Sequence, residues 1–244
     1  TGGEDTDRSD IDLVGLQNEL IEKVAASGKP TILILITGRP LGVEKAVEKV
    51  NALVQAWEPG MYGGQAIAEI LYGKINPSAK LPITIPRSVG QIQMIYNHKP
   101  SQYFHPYVVT SSEPLYPFGY GLSYTNYKYD NLQLSDKEIS KGENLEVSVD
   151  VTNTGKMDGT EIVQLYLRDK FSSVTRPVKE LKDFSRVTLK AGETKTIHFT
   201  ISPDKLTFLY KNLKPVIESG EFIVMVGSSS QDKDLLKQSF YVKE

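Results

Sequence analysis

The chain of 244 residues contains no cysteine. This absence excludes disulfides, thiolate nucleophiles and cysteine-ligated zinc sites. It does not restrict the compartment, because a chain of this length can bury a core without covalent cross-links. Histidine is also scarce: His98, His105 and His198 are scattered, and none lies at metal-ligand spacing from another. We therefore predict neither a metal site nor a cofactor from these residues.

Neither sign of charge dominates, since 28 Lys and Arg face 30 Asp and Glu, for a formal net charge of −2. This balance gives no electrostatic reason to expect nucleic acid or an anionic membrane as a partner. No apolar run approaches the roughly 18 residues that span a bilayer. The first residue is Thr and no signal peptide precedes it, so we expect a processed chain or a piece of a longer protein.

Helices and strands alternate in the first part of the chain, which indicates an α/β fold. An amphipathic helix is predicted over Asp12–Ala26, with one apolar face formed by Leu13, Leu16, Leu20, Ile21, Val24 and Ala25. The run Thr31–Thr37 is apolar at consecutive positions, which is typical of a strand buried on both faces of a parallel sheet. The other predicted elements are a helix at Gly42–Lys49, a strand at Ala52–Trp57 and a helix at Gln65–Tyr72.

Two strands are too few for a covered sheet. The strand Thr31–Thr37 would then have a bare apolar edge, so we expect further strands from sequence upstream of Thr1. The segment from Asn76 to Ser123 is rich in Pro, Gly and Tyr and predicts an ordered connection packed on the folded parts; a simple spacer is the alternative.

After Tyr124 the hydrophobic period changes to two. About seven strands separated by Gly-containing turns predict an immunoglobulin-like or fibronectin type III-like sandwich. They are centred on Tyr127–Leu134, Leu145–Val151, Val163–Leu167, Lys179–Leu189, Ile197–Ile201, Phe222–Val226 and Gln238–Val242. No convergent polar site is evident in residues 126–244, which favours a structural role for this part.

The densest polar cluster lies at the N-terminus and comprises Glu4, Asp5, Asp7, Arg8, Asp10 and Asp12. These residues could bind a metal or hold a general acid, or they could be a solvated acidic stretch ahead of a helix. Gly60, Gly63 and Gly64 precede a helix but match no phosphate-binding pattern, so close packing of strand and helix is the better explanation. Five aromatic residues could stack on sugar rings or simply fill cores and interfaces: Trp57, Tyr62, Tyr96, Tyr103 and Phe104.

Several motifs together resemble glycoside hydrolase family 3 (β-glucosidase-like) along essentially the whole chain. They are Glu4-Asp-Thr-Asp-Arg8, Trp57-Glu-Pro-Gly60, Leu71-Tyr-Gly-Lys-Ile-Asn-Pro-Ser78, Lys80-Leu-Pro-Ile-Thr-Ile-Pro-Arg87, Tyr116-Pro-Phe-Gly-Tyr-Gly-Leu-Ser-Tyr-Thr125 and Arg176-Pro-Val-Lys-Glu-Leu181. The resemblance implies the second part of an α/β sandwich domain over residues 1–100, an ordered connection over 101–125 and a fibronectin type III-like domain over 126–244.

The resemblance also implies chemistry. Family members hydrolyse terminal non-reducing β-D-glycosyl residues, commonly glucosyl, with retention, using two carboxyl groups. One is an Asp on an N-terminal barrel, to which nothing in this chain corresponds; the other, the acid/base, maps onto Glu4. Asp7 and Arg8 would fix the loop. We therefore expect a hydrolase that needs no cofactor, has the missing barrel and a β-glucoside or oligosaccharide as partners, and is secreted or periplasmic. The chain alone would be inactive. The alternative is a non-catalytic carbohydrate-binding or structural β-sandwich module.

Overall fold

The computed structural model describes residues 7–100, 107–211 and 213–244. The chain forms two compact units whose segments alternate along the sequence. The first unit consists of Thr1–Ile75, Ile83–Met94 and Pro106–Pro117, and the second of Asn76–Pro82, Ile95–His105 and Phe118–Glu244. The ranges 1–100, 101–125 and 126–244 remain a prediction about folding domains. None of the helices in the described ranges is long and apolar enough to cross a bilayer.

The first unit alternates helix and strand. Its elements are α1 (Gln17–Ala25), β1 (Ile32–Ile36), α2 (Glu44–Val47), β2 (Ala52–Trp57), α3 (Gly63–Leu71) and a short 3-10 helix at Val89–Gln91. Strands β1 and β2 pair in parallel, from Ile32 opposite Ala52 to Ile36 opposite Trp57. A small core, formed by Leu13, Leu35, Leu41, Val43 and Ala46, lies beside this pair.

Strand β1 is less buried than its sequence indicates. Only Leu35 is buried, whereas 45% of Ile32 and 65% of Ile36 are exposed. The prediction that Thr31–Thr37 is buried on both faces is therefore wrong within the part of the chain that the structure describes. The physical reason is that β2 alone pairs with β1 there, so the bare apolar edge that we expected is present.

Helix α1 also differs from its prediction. It begins at Gln17 rather than near Asp12, because Gly15 has a positive φ of 59° and breaks the helical path. Leu13 is buried ahead of the helix and Ile21 packs on the core. Leu16, Leu20 and Val24 are exposed, so the predicted face is only partly directed to the core.

The second unit is a β-sandwich. Its elements are β3 (Tyr127–Leu134), β4 (Glu138–Ser140), β5 (Leu145–Asn153), β6 (Gly159–Asp169), β7 (Glu180–Leu189), β8 (Thr194–Ile201), α4 (Pro203–Leu206), β9 (Phe208–Leu209), β10 (Pro215–Val216), β11 (Gly220–Gly227), a 3-10 helix at Asp232–Asp234 and β12 (Leu235–Lys243). One sheet has the order β4-β12-β11-β6-β7 and the other β3-β5-β8. Alternate residues of the strands point into a core that contains Leu145, Val149, Leu165, Ile201 and Val224.

The Pro- and Tyr-rich segments of the second unit are tied to strand β6. Gly119 has a φ of 79°, and a Cβ atom there would lie 2.1 Å from Gln164 Oε1, so only glycine fits. Gln164 Nε2 donates to the Gly119 carbonyl at 3.1 Å, and Phe118 stacks on Tyr96 with ring centroids 4.1 Å apart. These contacts agree with a packed connection rather than a spacer.

Candidate functional site

The candidate site lies in the first unit, where the acidic N-terminal segment leads into the fold. Glu4 and Asp5 lie outside the described residues. The described chain begins with the segment Asp7–Leu13, which we call the anchor segment. It is held by its own side chains and by two buried apolar residues, Ile11 and Leu13.

Arg8 organises the anchor segment. Its Nη2 atom donates to Asp10 Oδ1 at 2.8 Å and to the Asp12 carbonyl at 2.6 Å. The same Asp10 oxygen accepts the backbone N–H of Asp12 at 3.0 Å, which closes a local turn. Asp10 and Arg8 therefore shape the segment, while Asp7 is exposed.

The anchor segment is fastened to the neighbouring loops by backbone contacts. The N–H of Gly42 donates to the Ile11 carbonyl at 2.8 Å. A Cβ atom on Gly42 would lie 3.1–3.3 Å from Asp12, Ile11 and the Arg87 carbonyl, so three segments converge at this glycine. A Cβ atom there would require these neighbours to move by a few tenths of an ångström.

Arg87 and Gln91 hold together the loops around the anchor segment. Arg87 Nη1 donates to Glu44 Oε1 at 2.7 Å, and its Nε donates to the Glu113 carbonyl at 2.9 Å. Gln91 is buried, accepts the Arg87 N–H at 2.9 Å and donates to the Ser111 carbonyl at 2.7 Å. The sequence analysis did not single out Glu44 or Gln91, because Glu44 is 43 positions from Arg87 and Gln91 is 20 positions from Ser111.

The carboxyl ends of β1 and β2 form the second feature of the site, and ligands commonly bind at this edge of a parallel sheet. Trp57 has a φ of 54°, a strained value for a bulky residue, and a bulge places it opposite Ile36. A Cβ atom on Gly38 would lie 2.8 Å from Glu58 Oε1, so the glycine allows this carboxylate to approach the backbone. Gly38 lies two residues after the end of β1, and this position is the sequence feature that corresponds to the contact.

The sequence-predicted aromatic residues do not form one cluster within a unit. Trp57 and the exposed Tyr62 lie at the end of β2 and the start of α3, whereas Tyr96 packs on Phe118 in the second unit. Tyr103 and Phe104 lie outside the described residues. Gly63 approaches Pro59 so closely that a Cβ atom would lie 2.5 Å from its ring, so loop packing explains this glycine. No three His, Asp or Glu side chains in the described ranges could hold a metal ion.

Comparison with known proteins gives two family matches. The glycosyl hydrolase family 3 C-terminal domain matches residues 1–124, and the fibronectin type III-like domain matches residues 161–230. A β-xylosidase from Formosa agariphila is 44% identical over 246 residues, and the match covers all of this chain and 34% of that protein. A protein named periplasmic β-glucosidase from Salmonella typhimurium is 42% identical, over 93% of this chain and 31% of its own length.

Solved structures give the same picture. A β-glucosidase from Erythrobacter marinus superposes with a TM-score of 0.93 at 43% identity, over 97% of this chain and 31% of that one. A β-glucosidase from Listeria innocua in complex with glucose superposes with a TM-score of 0.93 at 38% identity, over 100% and 35%. The chain thus spans about a third of the length of the curated relatives it matches.

Proposed function

The chain belongs to glycosyl hydrolase family 3, and from this premise we propose that it supplies the acid/base wall of a retaining β-glycosidase active site. The predicted fold class, an α/β segment followed by a fibronectin type III-like sandwich, is confirmed. Relatives are named β-glucosidases and β-xylosidases, which supports a substrate with a terminal β-D-glycosyl residue. Among such substrates we propose β-glucosides. The proposed partner is a family 3 barrel that carries the nucleophile.

We propose Glu4 as the general acid and base. Such a group protonates the departing glycosidic oxygen and then removes a proton from the water that hydrolyses the glycosyl-enzyme intermediate. The observation that supports this role is the anchor segment: Arg8, Asp10 and the Ile11–Gly42 hydrogen bond fix the chain from Arg8 onward, four positions after Glu4 in the sequence. A fixed attachment supports the role because proton transfer requires the carboxyl within hydrogen-bond reach of the oxygen.

The test is Glu4→Gln in the protein joined to its barrel. We expect turnover of alkyl glucosides, whose leaving groups need a proton, to fall by about 10²–10⁴-fold. Activated aryl glucosides should lose far less in the glycosylation step, and added azide should restore their deglycosylation. Glu22→Gln, an exposed residue of α1, is the matched control and should be unchanged. An equal loss on both substrate types, or no loss, would remove Glu4 from this role.

We also propose a secreted or periplasmic location. The support is the name of the Salmonella relative, which states a periplasmic location for that protein. Fractionation of the native host with an antibody against this chain would test the proposal, and recovery only with cytoplasmic markers would contradict it.

A further inference from the structure

The sandwich contains a small polar cavity where β6 ends and the following loop leads to β7. Its volume is about 170 Å³, and its lining includes Asp169, Phe171 and Arg176. Residues 126–244 showed no convergent polar site in sequence, and the fold brings Asp169 and Arg176 together there. Sequence analysis missed the site because its charged residues are seven positions apart, on a strand and on an irregular loop.

Two buried polar atoms, Asp169 Oδ2 and Arg176 Nη1, lie opposite each other and lack hydrogen-bond partners within the described residues. Their side chains are 3% and 10% exposed, and Asp169 Oδ2 lies 3.9 Å from Arg176 Nη1, which is too long for a hydrogen bond. Neither atom has a hydrogen-bond partner within the described part of the chain. Buried donors and acceptors are nearly always paired in folded proteins, so these two atoms point to a bound group.

Other contacts fix the position of the Arg176 side chain. Arg176 Nη2 donates to Glu180 Oε2 at 2.6 Å, and its guanidinium lies 5.0 Å from the centre of the Phe208 ring. Asp169 is the last residue of β6, where its backbone lies opposite Phe222 of β11. Arg176 cannot turn toward Asp169 without breaking its own interactions.

The chemistry of the two atoms selects the ligand. Asp169 Oδ2 is an acceptor and Arg176 Nη1 is a donor, and a hydroxyl group can donate to the first while it accepts from the second. An anion would meet the carboxylate, and a cation would meet the guanidinium. The cavity exceeds the roughly 30 Å³ that one water occupies, so it has room for more than a bridging water.

The rim of the cavity supplies an apolar surface. Phe171 lines the cavity and is 75% exposed, and Pro177 lines it as well. Sugar rings carry hydroxyl groups at their edges and C–H groups on their faces, and an exposed aromatic ring offers a flat apolar partner for such a face. We propose that this cavity binds one sugar residue, with a ring hydroxyl bridging Asp169 and Arg176 and the ring face near Phe171.

The experiment is an NMR titration of the full 244-residue chain with methyl β-D-glucopyranoside, and in parallel with inorganic phosphate. We expect the amide signals of Asp169, Phe171 and Arg176 to shift saturably with the glucoside, with a Kd on the order of millimolar. Phosphate should leave them unchanged. Phe171→Ala should weaken binding at least about fivefold. Phe184→Ala changes a phenylalanine of β7 that is 63% exposed and lies outside the cavity, and it is the matched control.

Asp169→Asn tests the polar half of the proposal. It keeps the size of the side chain but removes the charged acceptor, so we expect roughly tenfold weaker binding with an unchanged fold by circular dichroism. The proposal does not depend on Glu4, and the Glu4→Gln chain should bind the glucoside normally. Absence of saturable shifts, binding of phosphate instead of glucoside, or equal effects of Phe171→Ala and Phe184→Ala would overturn it. So would a crystal soaked in the glucoside that shows only a bridging water.

Discussion

Lys80 and Glu161 form an ion pair inside the second unit. Lys80 Nζ lies 3.0 Å from Glu161 Oε1, with side chains that are 11% and 3% exposed, and the Tyr129 hydroxyl donates to the same oxygen at 2.9 Å. Burial raises the pKa of the Glu161 carboxyl, and the positive charge of Lys80 opposes that rise. The pair joins the segment Asn76–Pro82 to β6. Loss of either charge should therefore weaken the attachment of that segment to the sandwich.

Lys80→Met should destabilise the second unit by about 3 kcal/mol at pH 7, because it leaves a buried carboxylate without a cation. Lys170→Met, which breaks the more exposed pair with Glu221, should cost less than about 1 kcal/mol. The double variant Lys80→Met with Glu161→Leu should recover most of the loss. Urea denaturation followed by circular dichroism measures all three, and fluorescence of Trp57, the only tryptophan, reports separately on the first unit. Equal costs for Lys80→Met and Lys170→Met would contradict the argument.

The sign of the pH dependence follows from the raised pKa of Glu161. Between the ordinary carboxyl pKa and the raised one, the folded state holds a proton that the unfolded state has released, so stability falls as pH rises through this window. Removing Lys80 raises the pKa further. The deficit of Lys80→Met should therefore shrink as the pH falls toward the ordinary value of 4.5, where the buried carboxyl is neutral in both proteins.

At the residue scale, the sequence indicated which positions mattered better than it indicated their partners. Lys80 belongs to the motif Lys80–Arg87, but its partner Glu161 is 81 positions away and lies among alternating strand residues. The sequence likewise did not predict that Asp169 and Arg176 lie close together. Periodicity reports which face of an element a residue occupies, whereas a polar contact between distant segments depends on the tertiary fold.

At the element scale, period-two strands were the most predictable feature. Strand β3 has the bounds that alternation predicts, and β5 alternates buried and less buried residues along its length. The short β4 and the β9–β10 pair were missed, because two or three residues show no period. The predictions were least accurate for the start of α1 and for the burial of α1 and β1. Their apolar residues outnumber the neighbours that could cover them in the described first unit.

Helix α1 leads to a prediction about association. Leu16, Leu20 and Val24 recur at helical spacing and are all exposed, so the isolated chain should self-associate through this surface. Leu20→Lys should shift the chain toward the monomer in sedimentation velocity at matched concentrations. Leu209→Lys, an equally exposed leucine on β9, is the control and should leave the distribution unchanged. If both substitutions act equally, or neither does, this surface is not the cause.

At the scale of the whole molecule, the two units offer different capabilities. The first unit fixes the anchor segment, which follows the proposed proton donor in the sequence, through Arg8 and the contact with Gly42. The second unit is a well-packed sandwich that holds the Pro-rich segment and the Asp169–Arg176 cavity. The proposed retaining chemistry needs a second carboxylate beside Glu4, and we propose that the barrel supplies it.

The 244-residue chain alone should not hydrolyse β-glucosides. A retaining mechanism needs two carboxyl groups about 5–5.5 Å apart, on either side of the anomeric carbon. Glu4 supplies at most one of them, and Asp10, in the same short segment, is engaged by Arg8. An assay with an aryl β-glucoside should give only the background rate. Adding a separately expressed family 3 barrel should restore measurable turnover with this chain, and the Glu4→Gln chain should restore much less with an alkyl glucoside. Clear activity of the unaided chain, abolished by changing one of its own Asp or Glu residues, would show that the nucleophile lies within these 244 residues and that the shared-site proposal is wrong.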